Sequence, residues 1–131
     1  MLISVKSDSR TQLIDITSEV RKAAETSGIG NGLCILYVPH TTAGVTINEN
    51  ADPDVRRDII RGLSHLQLEK VDFAHLEGNS PAHVKSSLIG CSETVLIEKG
   101  KLILGTWQGI YLCEFDGPRS RKVLVKIIKD S

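Results

Sequence analysis

Three of the four histidines in this chain lie beside loop segments rich in Gly, Asn, Ser, Thr and carboxylates. His75 and His83 flank a Gly-Asn-Ser-Pro turn, and His40 precedes a Thr-Thr-Ala-Gly segment. His83 would lie in the first turn of a helix beginning at Ser80, where the positive end of the helix dipole disfavours imidazolium. A neutral imidazole is the form that binds a metal ion or accepts a proton in catalysis. We therefore expect His40, His75 and His83 to be metal ligands or acid–base groups.

The spacing of these histidines leaves two interpretations open. Three histidines around one open coordination position form a catalytic zinc arrangement. However, the spacing His40…His75-x7-His83 matches no local zinc motif such as HExxH, and unrelated surface or core histidines would give the same pattern. For His65, in RGLSHLQLEK, we expect no functional role.

Carboxylates follow two of the histidines. Glu49 and Glu77 could act as metal ligands or as a general base, and the alternative for each is a solvated loop carboxylate. Asp52 directly precedes Pro53 and has the chemistry of a helix N-cap, so a structural role is the stronger interpretation for it.

A second group of residues is suited to anions. Asn79 and Ser80 immediately precede a predicted helix, whose free backbone N–H groups can bind phosphate. Lys85, one turn further along, would add a positive charge. Arg119, in FDGPRSR, could bind a phosphate through two parallel hydrogen bonds. The alternative is an ordinary helix start and an exposed arginine.

Trp107 is the only tryptophan, and it lies between two glycines in LGTWQGI. Glycine allows a ligand or another segment to approach the backbone closely. Trp107 could stack on a planar ring while Gln108 hydrogen-bonds to it. The alternative is a tryptophan buried in the core.

The elements that must position these residues are mostly strands. Alternating and continuous apolar patterns predict strands in eight segments, at residues 2–7, 11–16, 32–38, 41–48, 92–98, 101–105, 109–115 and 121–129. Helix start and stop signals predict helices at residues 17–28, 52–63 and 80–88. Two hairpins are expected, one around Lys99-Gly100 and one around Asp116-Gly117. The pattern predicts a single α+β domain, 1–131, built on a mostly antiparallel β-sheet or sandwich with a few short helices.

The amino-acid composition of the chain restricts the kinds of partner that it is expected to bind. The chain has 16 basic and 16 acidic residues, so no strong field favours nucleic acid or an anionic membrane. No apolar run approaches the roughly 20 residues of a membrane helix. Three cysteines without a CxxC pair favour a reducing cytoplasm. The segments CILYV and VLVKII are so apolar that another subunit is expected to cover one face of the sheet.

Three longer motifs together resemble the YjbQ family, described as secondary thiamine-phosphate synthases. They are PHTTAGVTINENADPDV, HLEGNSPAHVKSSLIG and KLILGTWQGIYLCEFDGPRSRKV, in this order between about residues 32 and 126. The resemblance implies an antiparallel β-sandwich assembled as a homotrimer, with a pocket near a subunit interface. It also implies a set of site residues: His40, Asn48, Glu49, Asp52, His75, Glu77, Asn79, His83, Lys85, Trp107, Gln108 and Arg119.

The activity that the resemblance implies joins a pyrimidine-methyl diphosphate to a thiazole phosphate and releases pyrophosphate. Arg119, Lys85 and the helix start at Ser80 would bind the phosphates, and a divalent metal would neutralise the departing pyrophosphate. Mg²⁺ prefers oxygen ligands whereas three histidines prefer zinc, so the metal stays open between a zinc-like ion and Mg²⁺. Two alternatives stay open as well: a non-catalytic trimer that binds a metal or a phosphorylated metabolite, and a metal-dependent hydrolase of another phosphorylated substrate.

Overall fold

The computed structural model describes all residues, 1–131. It contains eight strands: β1 (Leu2–Lys6), β2 (Gln12–Asp15), β3 (Gly32–Tyr37), β4 (Ala43–Glu49), β5 (Ser92–Glu98), β6 (Lys101–Leu102), β7 (Gln108–Glu114) and β8 (Ser120–Lys129). It also contains three α-helices, α1 (Thr17–Ser27), α2 (Pro53–Ser64) and α3 (Ser80–Ile89), and one turn of 3₁₀-helix at Leu68–Lys70. The predicted elements are therefore present, but β6 ends at Leu102 rather than at residue 105. None of the helices has the length and apolar character of a membrane-spanning segment.

The strands form two sheets in which every neighbouring pair is antiparallel. The five-stranded sheet has the order β1-β8-β3-β5-β6, and the three-stranded sheet has the order β2-β7-β4. Leu36 and Val123 of the first sheet share one buried core with Val45 and Leu112 of the second. The predicted α+β fold with a mostly antiparallel β-sandwich is thus confirmed.

Residues at the boundaries of α1 and α2 have side chains or backbone conformations that explain where these helices begin or end. The Asp52 side chain accepts the Asp54 backbone N–H at 2.9 Å, so its N-cap interpretation is confirmed. At the start of α1, the carboxylate of Asp15 accepts the Thr17 backbone N–H at 2.9 Å. Gly28 ends α1 with φ at 69°, a backbone conformation that glycine adopts without steric cost.

Helices α2 and α3 cover the outer face of the three-stranded sheet. Ala82 of α3 is buried with Leu13, Tyr111 and Phe115, and half-buried apolar residues of α2 pack against this cluster. The outer face of the five-stranded sheet has no such cover. CILYV and VLVKII accordingly alternate between buried and exposed residues, rather than being buried on both faces within one chain.

The predicted hairpin around Asp116-Gly117 is wrong. β7 pairs with β2 and β4, whereas β8 pairs with β1 and β3, so the chain passes from one sheet to the other between these strands. Both sides of β7 are occupied, which leaves no edge at which β8 could pair. A Cβ atom at Gly117 would lie 2.1 Å from the Ser9 carbonyl oxygen, so this crossing requires glycine. The crossing places residues 116–121 beside the segment that carries His40.

Candidate active site

One polar cavity, here called the histidine cavity, brings together residues that are far apart in the sequence. It has a volume of about 440 Å³, within the usual range for small-molecule sites. Its lining comes from the segment after β3, the turn before α3, α3 itself and the crossing from β7 to β8. The lining residues are Pro39, His40, Thr41, Thr42, His75, Glu77, Asn79, His83, Asp116, Arg119 and Arg121.

All three predicted histidines line this cavity. The rings of His75 and His83 lie edge to face, with centroids 5.4 Å apart and planes at 86°. Ser86 of α3 donates a hydrogen bond to the Thr41 carbonyl at 2.6 Å, and thereby fixes the helix of His83 against the segment of His40. The predicted convergence of the histidines therefore occurs within a single chain.

The ring of His40 is fixed by a backbone hydrogen bond. β3 ends at Tyr37, which pairs with Leu124, so the Lys122 N–H two residues earlier in β8 has no strand partner on that side. His40 Nε2 accepts this N–H at 2.9 Å. Burial lowers the pKa of His40, and the nearby Arg121 charge lowers it further. A neutral ring that accepts at Nε2 must carry its proton on Nδ1.

A buried ion pair forms the floor of the cavity. Glu114 is 0% exposed and Arg121 is 5% exposed. Arg121 Nε donates to Glu114 at 2.9 Å, and its Nη2 donates to Glu114 and, at 2.8 Å, to the Thr42 hydroxyl. Burial alone would raise the pKa of Glu114, but hydrogen bonds from Arg121 and Ser7 together outweigh it and hold the pKa below its usual value.

Asp116 holds the side chains of Asn79 and Arg119 in place. Its carboxylate accepts from Asn79 Nδ2 at 2.9 Å and from Arg119 Nη2 at 3.0 Å. Burial opposes ionisation here, yet these hydrogen bonds leave the pKa of Asp116 below its usual value. Asn79 Oδ1 is buried without a partner, so a ligand N–H or O–H would satisfy it.

This chain is similar to known proteins along nearly its whole length. The family model described as UPF0047 protein YjbQ-like matches residues 1–130. A UPF0047 protein of Methanocaldococcus jannaschii is 57% identical over 126 residues, which is 96% of this chain and 91% of that protein. YugU of Bacillus subtilis is 50% identical, with 96% of each chain covered. This chain belongs to the YjbQ family.

Solved structures of YjbQ-like proteins show the same fold. A YjbQ/UPF0047 family protein from Clostridium acetobutylicum is 56% identical with a TM-score of 0.95, over 98% of this chain and 99% of that one. A YjbQ-like protein from Sulfolobus solfataricus is 33% identical with a TM-score of 0.95, over 99% of this chain and 96% of that one. The predicted family membership is therefore confirmed.

Five other residues suggested by the YjbQ resemblance lie at the far end of the three-stranded sheet. They are Asn48, Glu49, Asp52, Trp107 and Gln108. Ala43 and Glu114 pair at the cavity end of β4 and β7, whereas Glu49 and Gln108 pair at the opposite end. Six residues of strand separate the two ends by about 20 Å. These residues therefore do not join the histidine cavity within one chain, and Trp107 is 62% exposed rather than part of the core.

Two more predicted phosphate-binding residues lie close to the cavity but outside its lining. The buried Lys85 ammonium group donates to Glu69 at 3.3 Å, so its charge is already paired. Ser80 lines a smaller neighbouring cavity together with Arg10 and His75. In this YjbQ-like chain the cations facing the main cavity are Arg119 and Arg121, and Arg121 is the one that sequence reasoning missed.

The three histidines do not form a preformed metal-ligand set. No group of three or more His, Cys, Asp or Glu side chains in the chain is arranged to hold a metal ion. The physical reason at His40 is that the Lys122 N–H already occupies the Nε2 lone pair. Nδ1 carries the ring proton and has no lone pair to offer either. A shared metal site would require His40 to give up its backbone hydrogen bond.

Proposed function

We propose that this chain is an enzyme that acts on phosphorylated small molecules in the histidine cavity. The first candidate reaction is that implied by the resemblance, the joining of a pyrimidine-methyl diphosphate to a thiazole phosphate. In this reaction the thiazole nitrogen forms a bond to the pyrimidine methylene carbon. The bond from that carbon to the diphosphate oxygen breaks, and pyrophosphate leaves with the electron pair.

The observation that supports an enzyme is the meeting of three histidines and two arginines in one cavity without apolar side chains apart from Pro39. The histidines and the arginines have different proposed roles. His75 and His83, which are in ring contact, would donate a proton to the leaving pyrophosphate oxygen. Arg119 and Arg121 would stabilise the negative charge that grows on the leaving pyrophosphate.

The charges of the cavity favour a divalent metal that arrives with the substrate. The lining contains two arginines and two carboxylates, Glu77 and Asp116, and the buried Glu114 lies beneath Arg121. With neutral histidines this set carries no net positive charge to offset a diphosphate. Protonated imidazoles or a metal ion would supply the missing charge. Since the histidines alone form no ligand set, such an ion would be held mainly by phosphate oxygens of the substrate, with the Glu77 carboxylate as a protein ligand.

Metal retention tests this part of the proposal. We expect wild-type protein to retain more Mg²⁺ or Zn²⁺ per chain when pyrophosphate is present, and we expect Glu77→Gln to abolish the increase. The measurement is metal content by mass spectrometry after buffer exchange, with and without pyrophosphate. About one metal ion per chain without pyrophosphate, lost in His40, His75 and His83 variants alike, would instead establish a three-histidine site.

One observation favours a second candidate function. Apart from the histidines, no aromatic ring lines the cavity of a single chain, and Trp107 lies at the other end of the sheet. A reaction that joins two heterocycles gains from a stacking surface. A hydrolase or a binding protein for a simpler phosphate ester needs none, so these functions are the alternatives.

Turnover distinguishes the candidates. The purified protein is incubated with the two heterocyclic substrates and Mg²⁺, and thiamine phosphate and pyrophosphate are both measured. Formation of both products in equal amounts supports the synthase. Release of phosphate from other phosphate esters without thiamine phosphate supports the hydrolase. Ligand binding without any turnover would contradict an enzyme and leave the binding protein.

We also propose that the chain assembles as a homotrimer through the outer face of the five-stranded sheet. Register places Leu124 of β8 between Leu2 of β1 and Tyr37 of β3. Apolar residues on or beside this face are between 41% and 52% exposed: Leu2, Tyr37, Leu96, Ile103, Leu124 and Ile128. An apolar surface on the central strands of a sheet is typical of an interface. The number of copies rests on the family resemblance.

A charge placed at the centre of this face is expected to separate the subunits. Leu124→Lys would have to bury an unpaired ammonium group in the interface, which costs several kcal/mol. We expect the wild type to elute as a trimer and Leu124→Lys as a monomer in size-exclusion chromatography with light scattering. Asp58→Lys, an exposed change on α2, is the control. A trimer that survives Leu124→Lys would place the interface elsewhere.

For the compartment, we propose the reducing cytoplasm. The three cysteines are all free thiols. Cys34 and Cys113 are buried in different sheets, and burial raises their pKa values to about 11 and about 12. Such thiols are unreactive and point to a packing role.

A further inference from the structure

We propose that the Nδ1–H of His40 and the Nη1 of Arg121 form a subsite that binds one anionic oxygen of a phosphoryl group. This inference deepens the proposed function, because it assigns the contact to particular atoms of the same cavity. It replaces Lys85, which is paired with Glu69, by a residue that sequence motifs did not indicate.

Both donor atoms are free. The ring of His40 forms a hydrogen bond only at Nε2. Arg121 forms its hydrogen bonds at Nε and Nη2, which leaves Nη1 without a partner. The only buried side-chain polar atoms without a partner are Arg56 Nε and Asn79 Oδ1, so both donors are accessible to solvent. Both His40 and Arg121 line the histidine cavity.

Both donors are also held in place before a ligand arrives. The Lys122 backbone fixes the ring of His40 and selects the tautomer that carries its proton on Nδ1. Glu114 and Thr42 hold the guanidinium plane of Arg121, which is 5% exposed. Thr42 follows His40 by two residues, so one short segment links the two donors. Fixed donors lose little conformational entropy on binding and suit a charge that develops during a reaction.

The chemical class of the ligand follows from the donors. Two N–H groups on a cavity floor, one of them on a guanidinium, favour an acceptor oxygen with negative charge. Apart from Pro39, the lining lacks apolar side chains that would bind a hydrocarbon group next to this oxygen. A terminal phosphoryl oxygen, as in pyrophosphate or a phosphate monoester, fits these properties.

Two substitutions of His40 separate this role from any role of Nε2. The amide of Asn lies where Nδ1 lies in histidine, whereas the amide of Gln reaches the position of Nε2. His40→Asn keeps a donor in the cavity, and His40→Gln keeps an acceptor for the Lys122 N–H. We expect His40→Gln to weaken pyrophosphate binding about tenfold or more, the range for a hydrogen bond to a charged group, and His40→Asn to retain most of the affinity.

The experiment titrates inorganic pyrophosphate into the metal-free, full-length wild type and both variants, with chemical shifts as the readout. A ¹⁵N spectrum of the imidazoles determines the tautomer of His40, and thermal unfolding confirms that both variants are folded. The inference is overturned by a proton on Nε2, by Gln binding better than Asn, or by wild type that does not bind pyrophosphate. Binding as expected without turnover would instead contradict only the proposed enzyme.

Discussion

Replacing His83 with alanine is expected to lower turnover on the phosphorylated substrate by roughly 10²–10⁴-fold, the usual contribution of a general acid or base. His83 lies in the first turns of α3 and contacts His75 across the histidine cavity at a centroid distance of 5.4 Å. Its loss removes one of the two rings that could transfer a proton there. Product formation at saturating substrate is the measurement.

The matched control is His65→Ala. His65 is exposed at the end of α2, outside the cavity, and its Nδ1 is hydrogen-bonded to the Arg61 carbonyl oxygen at 3.0 Å. We expect this variant to retain wild-type turnover. If His83→Ala is fully active while remaining folded, the proton-transfer role of His83 is wrong and the alternatives that need no such group gain support.

Replacing Arg121 with leucine is expected to lower the free energy of unfolding by about 3–5 kcal/mol, because it leaves the carboxylate of a buried ion pair without its partner. Glu114 is 0% exposed and would keep only the hydrogen bonds from Ser7 and from the Asp116 backbone. Urea unfolding followed by circular dichroism measures the change.

Two further variants test the reason for this loss. In the double variant Arg121→Leu/Glu114→Leu neither charge of this buried pair remains, so we expect recovery of much of the lost stability. Arg57→Leu breaks the Arg57–Asp54 pair on α2, whose side chains are 72% exposed, and should change stability by less than about 1 kcal/mol. A double variant as unstable as Arg121→Leu would show that lost packing, rather than an unpaired charge, is responsible.

The pH dependence of stability provides a second readout for Glu114. Its pKa is lowered in the folded protein, so its ionisation stabilises the fold fully above the unfolded-state value of about 4.3. That contribution is lost as the pH falls through the lower, folded-state pKa. We expect wild-type stability to decrease on acidification in this range, and the double variant to lose less, since only the lowered pKa of Asp116 and similar groups remains.

Much of the local structure could be predicted because its causes act over a few residues. Asp52 and Pro53 start α2, Gly28 ends α1, and Lys99-Gly100 turns the β5–β6 hairpin, each through backbone conformation or a cap close in sequence. The fold class followed from counting such elements. The histidines were recognisable as candidates because they lay at the ends of elements, beside polar turns.

The Asp116-Gly117 turn is a case in which local residue patterns did not predict the strand pairing. Its residues correctly predict a change of chain direction, but they contain no information about which sheet the next strand joins. That choice depended on β2 and β4 occupying both sides of β7, and on β1 and β3 leaving a place for β8. Strand pairing is decided by contacts between segments far apart in the sequence.

Local sequence patterns were enough to identify the element types, most of the element boundaries, the family and three histidines of the cavity. Long-range packing brings Glu114 and Arg121 together as the buried floor of the cavity and places Trp107 about 20 Å away, at the far end of the sheet. It also decided the tautomer of His40, through a Lys122 N–H that strand pairing leaves free. Each of these features depends on burial and on strand pairing. Both are produced by segments that are far apart in the sequence, so the residues nearby in the chain do not predict them.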